Sequence, residues 1–191
     1  MPKPIFLPDK PDFTPERLPP EYLKAIGELV VAHSFLDMQI QTAIQGLARM
    51  DTEYGTALTT HMTGPNRLSA LESVAEITLD DMNQLLQLED LITEARDSSS
   101  QRAGYVHAHW CRDADTNEVY AVREVARTGL EIKISKPRAA DIVRAARTTS
   151  ELGFRVWRFV SELGVLPAIP GPRPRGHKVK RKRKEARKAR K

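Results

Sequence analysis

The chain has 191 residues, 29% of them charged and 40% hydrophobic, and a formal net charge of +5, a length that holds one well-buried domain with tails but not two ordinary domains. The sequence has no apolar run of about 18 residues, and its start, MPKPIFLPDK, lacks the apolar core of a secretory signal, so a soluble cytoplasmic protein with no membrane partner is expected. The single Cys111 excludes an internal disulfide.

Residues 1–20 contain seven of the thirteen prolines. Each fixes its own φ and turns the preceding residue from the helical region, which predicts an extended arm. Ile5, Phe6, Leu7 and Phe13 are too apolar for an idle linker, so the arm is expected against the domain body or a second subunit. A helical domain is expected over 21–166. From Glu21 to Arg49, Leu23, Ile26, Val30, Leu36, Ile40, Ile44 and Leu47 recur at steps of three and four, predicting an amphipathic helix of about eight turns. Within it His33 reads as a helix histidine packed or bonded to a neighbour, and Asp37 as either an exposed acid or the partner of a buried arginine.

A short helix is expected at Tyr54 to His61, then a break at Gly64 and Pro65. Helix resumes over Asn66 to Ile77. Asp80 and Asp81 look like a cap, and Leu85, Leu86, Leu88, Leu91, Ile92 and Ala95 build a helix expected to reach near His109. The acids from Asp80 to Asp97 read as one solvated face of that helix. Alternation over Val119 to Ile134 predicts a hairpin turning at Thr128 and Gly129. Ser135 is expected to cap a last long helix with Pro137 in its first turn, ending before Gly164. The expected fold class is all-α: a four-helix-bundle-like domain with a small β-hairpin before the last long helix.

The basic character belongs to the tail, residues 167–191. Gly171 to Lys191 carries 12 Lys/Arg and one Glu, or +11, leaving 18 Lys/Arg against 24 Asp/Glu, or −6, on the rest. Such a segment cannot bury enough apolar surface to offset its ordering entropy. It is expected to be disordered alone and to meet RNA, another nucleic acid or an acidic surface through Lys178, Lys180, Arg181, Lys182, Arg183 and Lys184.

The chemistry concentrates between Leu91 and Trp110. There Arg102 and His107 lie five residues apart, with Tyr105, His109, Trp110 and Cys111 beside them. Read structurally, Arg102 pairs with an acid such as Asp37 or Asp97, His107 fills a helix end and Trp110 is core. A metal set of His107, His109 and Cys111 lacks a companion cluster, and no metal or cofactor is expected. The Arg-x4-His spacing at the end of the third main helix, followed by Trp110 and then by a hairpin and a last helix, resembles the HEPN superfamily (higher eukaryotes and prokaryotes nucleotide-binding). The resemblance covers about Glu21 to Leu163. It implies a metal-independent endoribonuclease of toxin or phage-defence type, with Arg102 and His107 catalytic, His109 an alternate within the family's spacing, and Tyr105 binding a phosphate or a base. It also implies a homodimer that unites the site, and an antitoxin or other protein partner. Ala103 departs from the pattern, since active members usually carry Asn, Asp or His after the arginine. The alternative function is a non-catalytic dimeric helical interaction module whose tail binds nucleic acid.

Overall fold

The computed structural model describes residues 5–126 and 130–167; the predicted hairpin turn and the Lys178 to Lys184 run lie outside the described residues. Five α-helices and a four-stranded antiparallel sheet make up the chain there. It is mostly helical, with more sheet than the expected single hairpin.

Helix α1, Pro20–Leu47, begins at Pro20, where a missing N–H costs no hydrogen bond. It ends where Arg49 turns left-handed at φ 52°. Helix α2, Thr52–Thr59, starts on the Asp51 carboxylate, which accepts from the Tyr54 amide, and α3, Gly64–Thr78, on the Thr63 hydroxyl, which accepts from the Asn66 amide. Helix α4, Met82–Val106, starts on Asp81, which accepts from the Asn83 amide. The last helix, α5, spans Ala139–Glu162.

The predicted cap of α5 is corrected. Ser135 is the last residue of a strand, paired with Ala121; Arg138 is the N-cap and the helix starts at Ala139, so Pro137 precedes it instead of lying in its first turn. Pro137 holds Lys136 out of the helical region. Asp141 supplies the reciprocal contact, accepting from the Arg138 backbone amide at 3.4 Å and its guanidinium at 3.0 Å.

Two clusters of buried side chains hold the helices. The larger joins α1, α3, α4 and α5 through Leu36, Ile40, Ile44, Leu71, Leu88, Ile92, Val156, Phe159 and Val160, among others. The smaller lies between the first halves of α1 and α5 and consists of Ala25, Leu29, Ala32, Ile142, Ala145 and Ala146. Tyr22, Ile26, Tyr105, Trp110 and Val143 close it. None of the acids from Asp80 to Asp97 is buried, and on that face Glu94 accepts from Nη1 and Nη2 of Arg155, at 2.6 and 2.8 Å, tying α4 to α5.

The sheet runs β1-β2-β3-β4, with β1 Pro11–Asp12, β2 His109–Asp113, β3 Val119–Ala126 and β4 Leu130–Ser135. The predicted hairpin is β3 and β4. Two strands were not foreseen. The helix expected to reach near His109 stops at Val106, and His109 to Asp113 pairs with β3, His109 opposite Val122 and Arg112 opposite Val119. The arm supplies β1, with Pro11 opposite Asp113 and Asp12 opposite Arg112. A strand edge tolerates Pro11 because an outward face needs no N–H donor. A single 3₁₀ turn, Pro15–Arg17, then leads to the buried Leu18 and into α1. Among the described residues no helix is long and apolar enough to cross a membrane.

Candidate functional site

Helix α4 brings the charge of Arg102 within reach of a polar patch inside the helical body. On α1, His33 and Asp37 lie four residues apart, with His33 Nδ1 3.5 Å from Asp37 Oδ2. The buried His33 ring reaches α4 with Nε2, 3.2 Å from Ser99 Oγ, and Ser99 donates to the Ala95 carbonyl at 2.8 Å. Burial pushes the Asp37 carboxyl up, but the hydrogen bond and charge of His33, with the guanidinium groups of Arg67 and Arg102, outweigh it and hold the carboxyl below its ordinary 3.8. Arg102 is partly buried, and its Nε has no hydrogen-bond partner among the described residues. A buried donor left unpaired is rare enough to need a reason.

The end of α4 turns this patch toward the sheet. His107 is the C-cap residue, exposed, at φ −102° and ψ 10°, its amide donating to the Ala103 carbonyl at 3.3 Å. The Trp110 indole donates to the Tyr105 carbonyl at 2.9 Å, satisfying one of the acceptors a helix end leaves free. That bond folds the chain back into β2. A methyl group at Gly104 would stand 3.4 Å from Nη1 of Arg123 on β3, so a second guanidinium covers the last turn of α4. Tyr105 is partly buried; burial raises its phenol, as does Asp141, while Arg144 opposes them.

Arg102 and His107 are therefore on one helix end but at different depths, one partly buried and the other in solvent. Five residues correspond to about 140° around the axis. His109 begins β2, exposed, and lines a cleft of about 320 Å³ whose walls include neither Arg102 nor His107. Cys111 is buried, and burial together with Asp113 raises its thiol, which makes it a packed rather than a reactive group. Among the described residues no three His, Cys, Asp or Glu side chains are grouped to hold a metal ion.

Sequence reasoning offered Asp37 as an acid for Arg102 but did not add His33 and Ser99 to the pair, nor bring Arg123 to Gly104. The first link had a signal: a His and an Asp four apart on an otherwise apolar helix face share one side of it. The second had none, because it depends on how the sheet lies across α4. No protein-family model, curated protein or solved structure matches the chain.

Proposed function

We propose that the chain is a HEPN-like RNA-binding protein that cleaves RNA without a metal ion. The observation that carries this reading is Arg102, a guanidinium with an unpaired buried Nε, whose charge helps keep Asp37 ionised, and which the exposed His107 follows at the helix end. The C-terminus of a helix carries partial negative charge and does not itself attract phosphate, so the anion must be held by side chains. Arg102 fits that role, with Arg123 as a neighbouring cation.

In the reaction the 2′-hydroxyl of one ribose attacks the adjacent phosphorus, the 5′-oxygen leaves, and a 2′,3′-cyclic phosphate remains. His107, or His109 in its place, moves the proton, and Arg102 stabilises the charge that develops on the phosphoryl oxygens. A homodimer supplies the second Arg102 and His107, and the basic tail raises local RNA concentration by nonspecific attraction. A specific observation favours the non-catalytic dimeric module as second reading: Ala103 offers no polar atom beside Arg102, and Asp37 already shares its charge.

The deciding experiment incubates the full chain with mixed RNA in EDTA and identifies the ends. Expected are 2′,3′-cyclic phosphate ends and a loss of about a hundredfold or more on His107→Ala or Arg102→Ala in folded protein. RNA bound but left intact selects the interaction module. Cleavage undiminished in both variants removes the assigned residues.

A further inference from the structure

The N-terminal arm does more than extend the sheet. Where β1 and the 3₁₀ turn pass over β2 and the first turns of α1, they roof the cleft of about 320 Å³ that His109 enters. That volume is at the small end for a ligand pocket. Its walls are apolar, chiefly Phe13, Leu18, Leu23, Ile26 and the Trp110 side. Phe13 and Leu23 are 47% and 49% exposed, large apolar side chains at the opening that no part of the described chain covers.

Two charged groups sit among these walls. Asp12 accepts from the Thr14 amide at 2.9 Å with Oδ1, while Oδ2 stands 3.8 Å from Arg17 Nε; hydrogen bonding from Thr14 leads the effects that keep the carboxyl below its usual range. Arg112 makes one hydrogen bond among the described residues, from Nη1 to the Arg17 carbonyl at 3.4 Å, and its Nε is buried without a partner. The cleft thus combines an acceptor-only carboxylate, a donor-only guanidinium with unused hydrogen-bonding capacity, and flat apolar walls.

We propose that this cleft is a nucleobase-binding subsite. A simple anion is disfavoured by Asp12 beside Arg112, and a purely apolar ligand would leave both charges unsatisfied. A nucleobase answers both, with a flat ring for Phe13 and Trp110 and an edge that alternates donors and acceptors. Guanine is the closest match, since its N1–H and N2 amino group suit Asp12 while O6 and N7 suit Arg112. The subsite rests on the RNA-binding reading only for the source of the ring. His107 and Ala108 lead directly from the end of α4 into the cleft wall, so a base lodged there would bring its own sugar-phosphate chain toward the proposed catalytic residues.

The test uses full-length protein carrying Trp157→Phe, which leaves Trp110 as the sole tryptophan, titrated with guanosine 5′-monophosphate or ribose 5-phosphate. Expected is saturable quenching of Trp110 by the nucleotide at concentrations at least tenfold below any effect of ribose 5-phosphate, weakened at least fivefold by Phe13→Ala and by Arg112→Gln. Phe13 is half-exposed, so its variant retains the fold even if Arg112→Gln loosens the arm. Quenching no better than by ribose 5-phosphate, or unchanged in folded Phe13→Ala, overturns the subsite. The two proposals fail separately: RNA cut to cyclic ends without nucleotide quenching removes the subsite alone, and nucleotide bound by a protein that leaves RNA intact removes the nuclease alone.

Discussion

Helices α1 and α5 run together for most of their length, yet their two halves are built in opposite ways. Toward the end of α5 the space between them and against α3 and α4 is filled by Leu, Ile, Val and Phe. Toward its start the contact is Ala25, Ala32, Ala145 and Ala146 with two larger residues, Leu29 and Ile142. Large side chains gain stability by the apolar area they bury. Small ones gain it by letting backbones approach, and leave gaps at the edge that something else must fill. Here Tyr22 and Trp110 do so, their ring centroids 5.9 Å apart, and through Trp110 the helical body is tied to β2. The half with the weaker core is thus the half that carries the sheet, the arm and the cleft.

The contrast breaks most directly in the large-residue half. Leu88 is fully buried there, and Leu88→Ala should cost about 2–5 kcal/mol by cavity formation, read as a lower urea midpoint. The reverse change tests the other half. Ala145→Leu should cost about 1–3 kcal/mol by overpacking, and because the added bulk acts on α1, it should also increase hydrogen exchange of the β2 amides. An Ala145→Leu protein with unchanged stability would mean the small-residue contact is loose.

The smallest expected effect is electrostatic. Asp37 has its folded-state carboxyl below 3.8, so the stability it supplies is present above that value and is lost as pH falls through the depressed one. Thermal unfolding followed from pH 5 to pH 2 should show a smaller loss for Asp37→Asn than for the unaltered chain. Equal losses would mean that Asp37 does not carry this contact.

The helices were legible because their periodicity is local: α1 was expected over Glu21 to Arg49 and lies at Pro20–Leu47, and α3 was expected over Asn66 to Ile77 and lies at Gly64–Thr78. Strands β1 and β2 were not. Pro11 and Asp12 have no strand preference of their own, and they pair only because β2 presents an edge. His-Trp-Cys-Arg-Asp continues a helical stretch without a proline to stop it; what stops it is the Trp110 indole bonding back to Tyr105, a contact invisible in composition. Of the candidate site, Arg102 and His107 could be named from spacing, whereas the cleft could not, since its roof and floor come from segments far apart in sequence, Asp12 to Ile26 and Ala108 to Arg112.

The arm also sets a timetable for synthesis. The Lys10 ammonium bonds Asp115, 105 positions later in the chain, and the Lys10 carbonyl accepts from the Ala114 amide. At about 5–20 residues per second, a ribosome needs about 5–20 s to deliver that partner. Until then the segment from Ile5 to Phe13 trails from the nascent helices with its backbone unpaired, a stretch suited to capture by a chaperone. Pro11 and Asp12 thus wait about as long as Lys10 for the strand they pair with.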